Sequence, residues 1–364
     1  MSNDEKALVW LDSFDFMTYK KKEKLLEIIP KPSNLLSYQF LRDLASQIKT
    51  IITDEEYNLL IHSLGEDFID KLFENLTKLG ISVTTKISND YPKSLSNIST
   101  PPFVIYYKGD KSLMDKDCFA VVGTRHLTSY GKMATEKFTK GLVEAGFVIV
   151  SGLASGIDTI AHRTTLDMGG KTIAVLANGL DQIYPPTNTA LAREIVEKGG
   201  LIISETRPYR KAESFLFPIR NRIIAGLSRG VLITEAQEKS GAMHTKNYAL
   251  EYGKDVFAVP GSIFSITSNG PNRLISNSHA KAVVDISDIL DEYDISPIKT
   301  EIKALNMTIE EQIIINLLSS GEKTFQELAD SSKLETNKLN ITLTMLTIRG
   351  VVKKMAGNVY FLNN

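Results

Sequence analysis

The feature that most constrains the fold is an alternation of short β-branched runs with helical stretches between Cys118 and about residue 295. The runs that indicate strands are 119–122, 147–150, 172–176, 201–204, 231–234, 256–259 and 282–284. Strands that alternate with helices at this spacing predict an α/β fold with a doubly wound parallel sheet. Ligands bind such a sheet outside the carboxyl ends of its strands, so the residues that follow each strand are the first candidates for a site.

The helix after the first of these strands has the clearest pattern. Ser129 is expected to cap it, Ala134, Phe138 and Leu142 recur every fourth residue, and Gly146 is expected to end it. The apolar face that this spacing creates should pack on the sheet.

Other segments flank the predicted sheet. Apolar pairs three or four residues apart within 1–85 predict a small helical domain, and 103–107 predicts a strand that ends at Gly109. Residues 294–305 have few large side chains and are expected to be a linker. Three helical patterns and a strand pair turned by Gly350 then predict a winged-helix-like domain. The expected domains are therefore 1–85, 86–295 and 306–364.

Composition excludes several classes of protein. The single cysteine, Cys118, cannot form a disulfide within the chain. No apolar run approaches the roughly 18 residues of a membrane span, and the N-terminus does not have the pattern of a signal peptide, so a soluble cytoplasmic protein is expected. The 42 basic and 43 acidic residues nearly cancel, so any nucleic-acid surface must be local. Residues 205–254 are such a segment, with nine basic and five acidic side chains.

Two loops after strands are candidate anion sites. Gly123 allows close approach of the backbone to a ligand, and the planar guanidinium of Arg125 suits phosphate. Ser151 and Gly152 lead into a helix whose free N–H groups would bind an anion. The spacing of these glycines matches neither the dinucleotide nor the nucleoside-triphosphate motif, so no cofactor is expected.

The segment 215–228 is the most suggestive of binding. Phe217 precedes a helix start, and Arg220, Asn221 and Arg222 lie in its first turn. Arg220 and Arg222 are about 200° apart around a helix, so one can bind phosphate while the other supports the site. Phe217 is a candidate for stacking on an unpaired base, although aromatic residues beside a helix start more often pack in the core.

Little in the sequence indicates catalysis. Zinc-binding helices, nucleophile elbows and nucleophilic cysteines are all missing, so neither a metal nor a catalytic residue is predicted. Asp158 and His162 are four residues apart and could pair, but a structural role is favoured for His162. Asp158, Glu205 and Glu235 remain possible acid–base groups.

Ordered blocks of sequence resemble the DprA/Smf DNA-processing family. They include VGTR at 122–125, SYG at 129–131, SGLA at 151–154, GID at 156–158, FP at 217–218, RNR at 220–222 and AVPG at 258–261. The resemblance is strong over about 85–285. It implies an extended Rossmann-like domain between a helical, SAM-like N-terminal domain and a winged-helix-like C-terminal domain. It also implies binding and protection of single-stranded DNA, loading of the RecA recombinase in natural transformation and DNA recombination, and a homodimer.

The chain departs from the family pattern in two places. After Ser240–Gly241 it reads AMHTKN where an apolar, threonine and alanine run is usual, which puts His244 and Lys246 near the presumed groove. We expect Lys246 to contact DNA and His244 to lie on an exposed helix face. After 274–275 the chain reads SNSHA where Gly-Ala is usual.

Two other function classes stay open. A nucleotide-processing hydrolase can have a similar fold, but its P-G-G-x-G-T motif is absent. A duplex-DNA regulator would use 335–346 as its recognition helix, although six basic and six acidic residues balance over 308–364. We therefore expect a single-stranded-DNA-binding protein that is not an enzyme. Its predicted contact residues are Gly123, Arg125, Ser151, Gly152, Phe217, Arg220, Asn221, Arg222 and Lys246.

Overall fold

The computed structural model describes residues 1–65, 67–295, 307–355 and 357–362. The chain forms two compact units, Met1–Pro297 and Ile298–Asn364. The helical region predicted for 1–85 belongs to the first unit together with the sheet, and the division into three domains stays a prediction. The predicted linker lies outside the described residues except for 294 and 295.

A nine-stranded sheet forms the centre of the first unit. Its strands are β1 (Ser82–Thr85), β2 (Val104–Gly109), β3 (Cys118–Val122), β4 (Val148–Ser151), β5 (Thr172–Leu176), β6 (Leu201–Ser204), β7 (Gly230–Ile233), β8 (Asp255–Ala258) and β9 (Lys281–Ala282). The order is β1-β2-β6-β5-β4-β3-β7-β8-β9. Strands β3 to β9 are parallel, as predicted, whereas β1 and β2 add an antiparallel edge beside β6. The winding direction reverses between β3 and β7, which makes their carboxyl ends the switch point of the sheet.

Helices cover both faces of this sheet. Those of the first unit are α1 (Asn3–Asp12), α2 (Tyr19–Ile28), α3 (Tyr38–Asp43), α4 (Ala45–Ile48), α5 (Asp54–Ser63), α6 (Phe68–Lys78), α7 (Lys93–Ser96), α8 (Ser129–Glu144), α9 (Ile157–Asp167), α10 (Thr189–Glu197), α11 (Leu216–Leu227), α12 (Ala242–Glu251), α13 (Asn269–Ser276) and α14 (Ser287–Leu290). Alternate strand residues point to opposite faces. Val122 packs with α11 and α12, whereas its neighbour Val121 packs with α8 and α9.

Helix α8 shows why the sequence pattern was informative and where it was inexact. Ala134, Phe138 and Leu142 are buried, and Gly146, with φ of +89°, follows the helix end as predicted. The N-cap is Thr128, not Ser129, because the Thr128 side chain accepts a hydrogen bond from the Gly131 N–H at 3.1 Å.

The N-terminal helices have a core of their own around Trp10, Leu25 and Leu60. They are attached to the sheet where the Tyr106 hydroxyl donates to Asp12 Oδ2 at 2.8 Å. This attachment explains why the helical region and the sheet form a single compact unit.

The second unit contains α15 (Ile309–Leu318), α16 (Phe325–Ser332) and α17 (Thr336–Ile348) with β10 (Lys323–Thr324), β11 (Val352–Met355) and β12 (Val359–Leu362). The strands form an antiparallel sheet in the order β10-β12-β11. The three predicted helices and the strand pair are present, and β10 is an addition. In the described ranges of both units, the helices are too short or too polar to cross a membrane.

Candidate functional site

A cavity of about 330 Å³ opens at the carboxyl edge of the sheet, at the switch point between β3 and β7. The start of α11 and the loops that follow β3, β4 and β7 form its wall. Five residues predicted from the sequence line it, namely Gly123, Arg125, Phe217, Arg220 and Asn221. The switch-point rule therefore predicted where this cavity lies, and the contacts of each side chain indicate what that residue can do.

Glu235 is the structural link between the loops around the cavity. Its backbone oxygen accepts from the Thr124 N–H at 2.7 Å. Its buried carboxylate accepts from the Thr128 N–H at 2.9 Å, from the Thr128 hydroxyl at 2.7 Å and from the Thr267 hydroxyl at 2.8 Å. Because both carboxylate oxygens are occupied, Glu235 fixes the loops after β3 and β8 and has no free oxygen for acid–base chemistry.

Arg125 and Phe217 line the edge of the cavity, and Tyr184 lies beside Phe217 just outside it; we call these three residues the rim. The Arg125 guanidinium carbon lies 5.2 Å from the centroid of the Phe217 ring, which in turn lies 5.7 Å from the Tyr184 ring. Arg125 and Tyr184 are exposed, and within the described residues Arg125 forms no ion pair. A cation and two rings are thus available to a ligand in one row.

The floor of the cavity consists of Arg220, Asp158 and Ala154. Arg220 is only 7% exposed. One terminal nitrogen donates to the Gly152 oxygen at 2.8 Å and also to the Val175 oxygen, and Nε donates to Asn221 Oδ1 at 3.1 Å. Burial lowers the pKa of Arg220 to about 10, and the nearby Asp158 carboxylate opposes this shift. Arg220 therefore braces the wall.

Asp158 occupies the anion position that the sequence assigned to phosphate. Its Oδ2 accepts from the N–H groups of Gly152 at 3.0 Å and Ala154 at 3.3 Å. Burial raises the pKa of Asp158, while Arg220 and these hydrogen bonds lower it. A Cβ on Gly152 would lie 2.5 Å from the Arg220 Nη2 atom, so glycine allows this close packing. The loop after β4 is therefore satisfied internally.

The remaining predicted residues lie outside the cavity wall. The Ser151 hydroxyl is buried and donates to the Val121 oxygen at 2.7 Å. Lys246 is half-buried on α12. Arg222 lies on the opposite side of α11, pairs with Glu205 at 2.5 Å and lines a separate cavity of about 390 Å³. The contacts of Ser151, Gly152, Arg222 and Lys246 with DNA stay predictions.

His162 lies beneath the floor. Its Nδ1 is 2.7 Å from the Thr172 hydroxyl, and burial lowers the pKa of this histidine to about 3. The hydrogen bonds of Asp158 go to backbone N–H groups, so the two side chains do not form the pair that their spacing allowed.

Several residues of the site were not predicted. His126, Gln237, Ser240 and Thr245 also line the cavity. His244, which the sequence placed near the groove, lines it too and is exposed on α12. Gln237 and Ser240 follow β7, so the rule about carboxyl ends would have identified them, whereas the contact of Tyr184 with Phe217 leaves no local signal. Among the residues with described positions, no group of three His, Cys, Asp or Glu side chains is placed to hold a metal ion.

Comparison with known proteins agrees with this architecture. The family model described as DNA recombination-mediator protein A matches residues 82–294. DNA processing protein DprA of Bacillus subtilis is 41% identical over 249 residues, which are 67% of this chain and 83% of that protein. DNA processing protein DprA of Streptococcus pneumoniae is 46% identical over 204 residues, 56% of this chain and 71% of that protein.

Solved structures extend the likeness to three dimensions. The X-ray structure of DprA from Streptococcus pneumoniae has a TM-score of 0.68 at 36% identity and covers 80% of this chain and 98% of its own. The structure of DprA from Helicobacter pylori, described for its single-stranded DNA binding mode, has a TM-score of 0.54 at 33% identity. The match covers 59% of this chain and 97% of that chain. With the family model matching more than half of the chain, the protein belongs to the DNA recombination-mediator protein A family, that of DprA and Smf.

Proposed function

We propose that this protein binds single-stranded DNA at the rim of the cavity and acts as a recombination mediator without being an enzyme. The observation that carries the proposal is the row formed by the exposed Arg125, the half-buried Phe217 and the exposed Tyr184. Two further findings support it: the family membership of the chain, and the single-stranded DNA binding mode reported for the Helicobacter pylori relative.

The chemistry of the rim suits an unpaired strand better than a duplex. Arg125 has the charge and the planar donor geometry for a phosphate, and Phe217 and Tyr184 have rings on which a base can stack. Bases in a duplex are already stacked on one another, so their faces are not available to protein rings. A site that combines both features should therefore prefer the single strand.

The other wall residues have supporting roles in this proposal. Gly123 lets the loop after β3 pack closely on Glu235 and Ile157, since a Cβ there would lie 2.6 Å from atoms of both residues, and Arg220 holds the wall in place. The Asn221 amide donates to the Gly241 oxygen at 3.1 Å and accepts from Arg220 through Oδ1, which fixes the loop before α12. Arg220 and Asn221 therefore use these donors to position the cavity wall and do not offer them to DNA.

A nucleotide-processing hydrolase is less well supported. Each acid–base group that the sequence left open is held by structural partners: Glu235 by two threonines, Glu205 by Arg222, and Asp158 by backbone N–H groups. Steady release of free base from nucleotides, abolished by Glu235→Gln, would instead favour this class.

Duplex binding by the C-terminal unit is also less well supported. We propose that this unit is a winged helix, with α17 in the place of the recognition helix. The exposed side chains of α17 include Ile341, Met345 and Ile348, and its single charged residue, Lys338, lies 3.7 Å from Glu310. A helix with this surface offers a phosphate backbone little attraction and is better suited to protein contact.

The wider role in this proposal follows from the family. It includes protection of incoming single strands, loading of the RecA recombinase during natural transformation, action as a homodimer, and a location in the cytoplasm. The description of the family as recombination mediators supports this role.

The test is a titration of a fluorescent single-stranded oligonucleotide and its duplex at several salt concentrations. Arg125→Ala should weaken single-strand binding about ten-fold and reduce the log–log salt slope by about 0.7, the value for one neutralised phosphate. Arg193→Ala is the matched control, because Arg193 is an exposed arginine on α10 that does not line the cavity. Unchanged affinity in Arg125→Ala, or a preference for the duplex, would contradict the proposal.

A further inference from the structure

An apolar loop projects from the carboxyl edge of the sheet beside the candidate site. The β8 loop, residues 260–268, connects β8 to α13, and its tip contains Ile263, Phe264 and Ile266. All three are exposed, and Phe264 is 91% exposed, the largest fraction among the large apolar residues that the structure describes. Such a tip needs an explanation, because contiguous exposed apolar groups usually mark a binding surface.

The base of the β8 loop is rigid. The Thr267 hydroxyl donates to Glu235 at 2.8 Å, and the Ala236 N–H donates to the Thr267 oxygen at 2.7 Å. Asn272 bonds both the N–H and the oxygen of Gly261, at 3.1 and 3.0 Å. The Tyr130 hydroxyl donates to the Pro260 oxygen at 2.6 Å. These hydrogen bonds, which we call the frame of the β8 loop, hold the apolar tip in place.

The same frame places the β8 loop next to the rim. The Glu235 carboxylate that holds Thr267 also holds Thr128, in the loop that contains Arg125. Strands β3, β7 and β8 are consecutive in the sheet, so the loops after β3 and β8 are about 10 Å apart, two strand spacings. A chain that leaves the rim along this edge passes the loop after β7 and then reaches the β8 loop.

The charge of these segments favours a polyanion as the occupant. Neither 118–135 nor 256–284 contains an aspartate or glutamate. Their basic residues are Arg125, Lys132, Arg273 and Lys281. Lys132 lies 3.9 Å from Glu136 and Lys281 lies 2.8 Å from Glu292, so among the described residues Arg125 and Arg273 are the two cations without an ion pair. A ligand that is negatively charged and also offers flat apolar faces fits this surface, and an unpaired nucleic-acid strand has both properties.

We propose that the DNA strand bound at the rim continues along the sheet edge over the β8 loop, where Phe264 stacks on an unpaired base. This inference rests on the proposed function, since it lengthens the binding path that begins at Arg125. The path then runs from Tyr184, after β5, to Phe264, after β8, with Arg125 between them.

The deciding test is the fluorescence of Phe264→Trp. The only natural tryptophan, Trp10, is fully buried in the N-terminal core, so the wild-type protein measures the background. Binding of an oligothymidine of about 20 nucleotides should quench the new tryptophan and leave Trp10 unchanged. Absence of quenching at saturating oligonucleotide would overturn the inference.

Affinity gives the second measurement. Phe264→Ala should weaken binding of the same oligonucleotide about five-fold, the loss expected for one stacked base. Leu59→Ala, which removes an exposed apolar side chain from α5, should leave binding unchanged. If Arg125→Ala weakens binding but Phe264→Ala does not, the extended path is wrong and the rim stands. If neither variant binds less tightly, the proposed function fails as well.

A protein occupant would give a different result. If Phe264→Ala lowers the mass of the DNA-free protein in sedimentation, the β8 loop is an interface between copies and the inference is overturned. An unchanged mass together with quenching supports the strand as the occupant.

Discussion

Two arginines line the same cavity. Arg220 in the floor has internal acceptors for its guanidinium, whereas the part of the chain that the structure describes offers the Arg125 guanidinium no contact other than the Phe217 ring. Arg125 follows Gly123 in the loop after β3, and Arg220 faces Gly152 in the loop after β4. From the sequence, both arginines were candidates for binding phosphate. The difference between them is the number of donors still free once the fold has formed. A free donor can bind a ligand, and an occupied donor holds the site in shape.

This difference separates the energetic roles of floor and rim. Removing a buried charged group is costly because its hydrogen-bond acceptors and any nearby opposite charge then stay buried without compensation. Removing an exposed side chain that has no ion pair changes stability little. The floor should therefore govern folding stability and the rim should govern affinity for DNA, and each prediction below tests one side of that division.

The largest effect is expected for Arg220→Ala. The substitution removes the hydrogen bonds that Arg220 donates to the Gly152 and Val175 oxygens, together with the positive charge that stabilises the buried Asp158 carboxylate, so the free energy of unfolding should fall by about 3–5 kcal/mol. Urea denaturation of both proteins measures the change. Arg125→Ala serves as the control and should differ from wild type by less than about 0.5 kcal/mol. Loss of DNA binding at full stability would show that the floor contacts the strand itself.

A smaller effect is expected from acid on His162. Its folded pKa is about 3, against an ordinary value of 6.5, so between these values the unfolded chain binds the extra proton. Stability from this residue is therefore present above pH 6.5 and falls as the pH falls, by about 2–3 kcal/mol between pH 6.5 and 4.5. The raised pKa of Asp158 acts with the opposite sign.

Comparison with His162→Gln isolates this contribution, because Asp158 and the surface carboxylates remain in both proteins. Urea denaturation at the two pH values should show a smaller pH dependence in the variant. Equal pH dependence in both proteins would mean that His162 is not buried in its neutral form.

The sheet was largely predictable from the sequence because buried parallel strands are continuous β-branched runs. Strands β5 and β6 agree with their predicted bounds, and β3, β4, β7 and β8 differ by one residue at one or both ends. The antiparallel edge was not predicted as part of the sheet. Ser82–Thr85 is short and polar, and its place beside Val104–Gly109 depends on long-range pairing.

The position of the cavity was predictable from the sequence, but which of its residues would hold the structure and which would stay free for a ligand was not. The acceptors of Arg220 come from Gly152 and Val175, 68 and 45 residues away in the chain. Only the folded sheet brings these groups together. Asp158, by contrast, bonds N–H groups four and six residues before it, so local sequence contained a signal for the self-satisfied loop.

The smallest effect, and the one most specific to the rim, is expected for Tyr184→Ala. Tyr184 is exposed beside Phe217, so the substitution should weaken single-strand binding about five-fold by removing one stacking surface. Tyr184 neutralises no phosphate, so the salt dependence of binding should stay that of wild type, unlike in Arg125→Ala. Oligonucleotide titrations at several salt concentrations measure both quantities, with Tyr184→Phe as the control that keeps the ring. Unchanged affinity in Tyr184→Ala would mean that Tyr184 does not contact the strand and that the DNA-binding rim consists of Arg125 and Phe217. Suppose that Tyr184→Ala loses five-fold in single-strand affinity, with unchanged salt dependence and unchanged folding stability, while Arg220→Ala loses folding stability. Base stacking and support of the fold would then belong to different residues of one site.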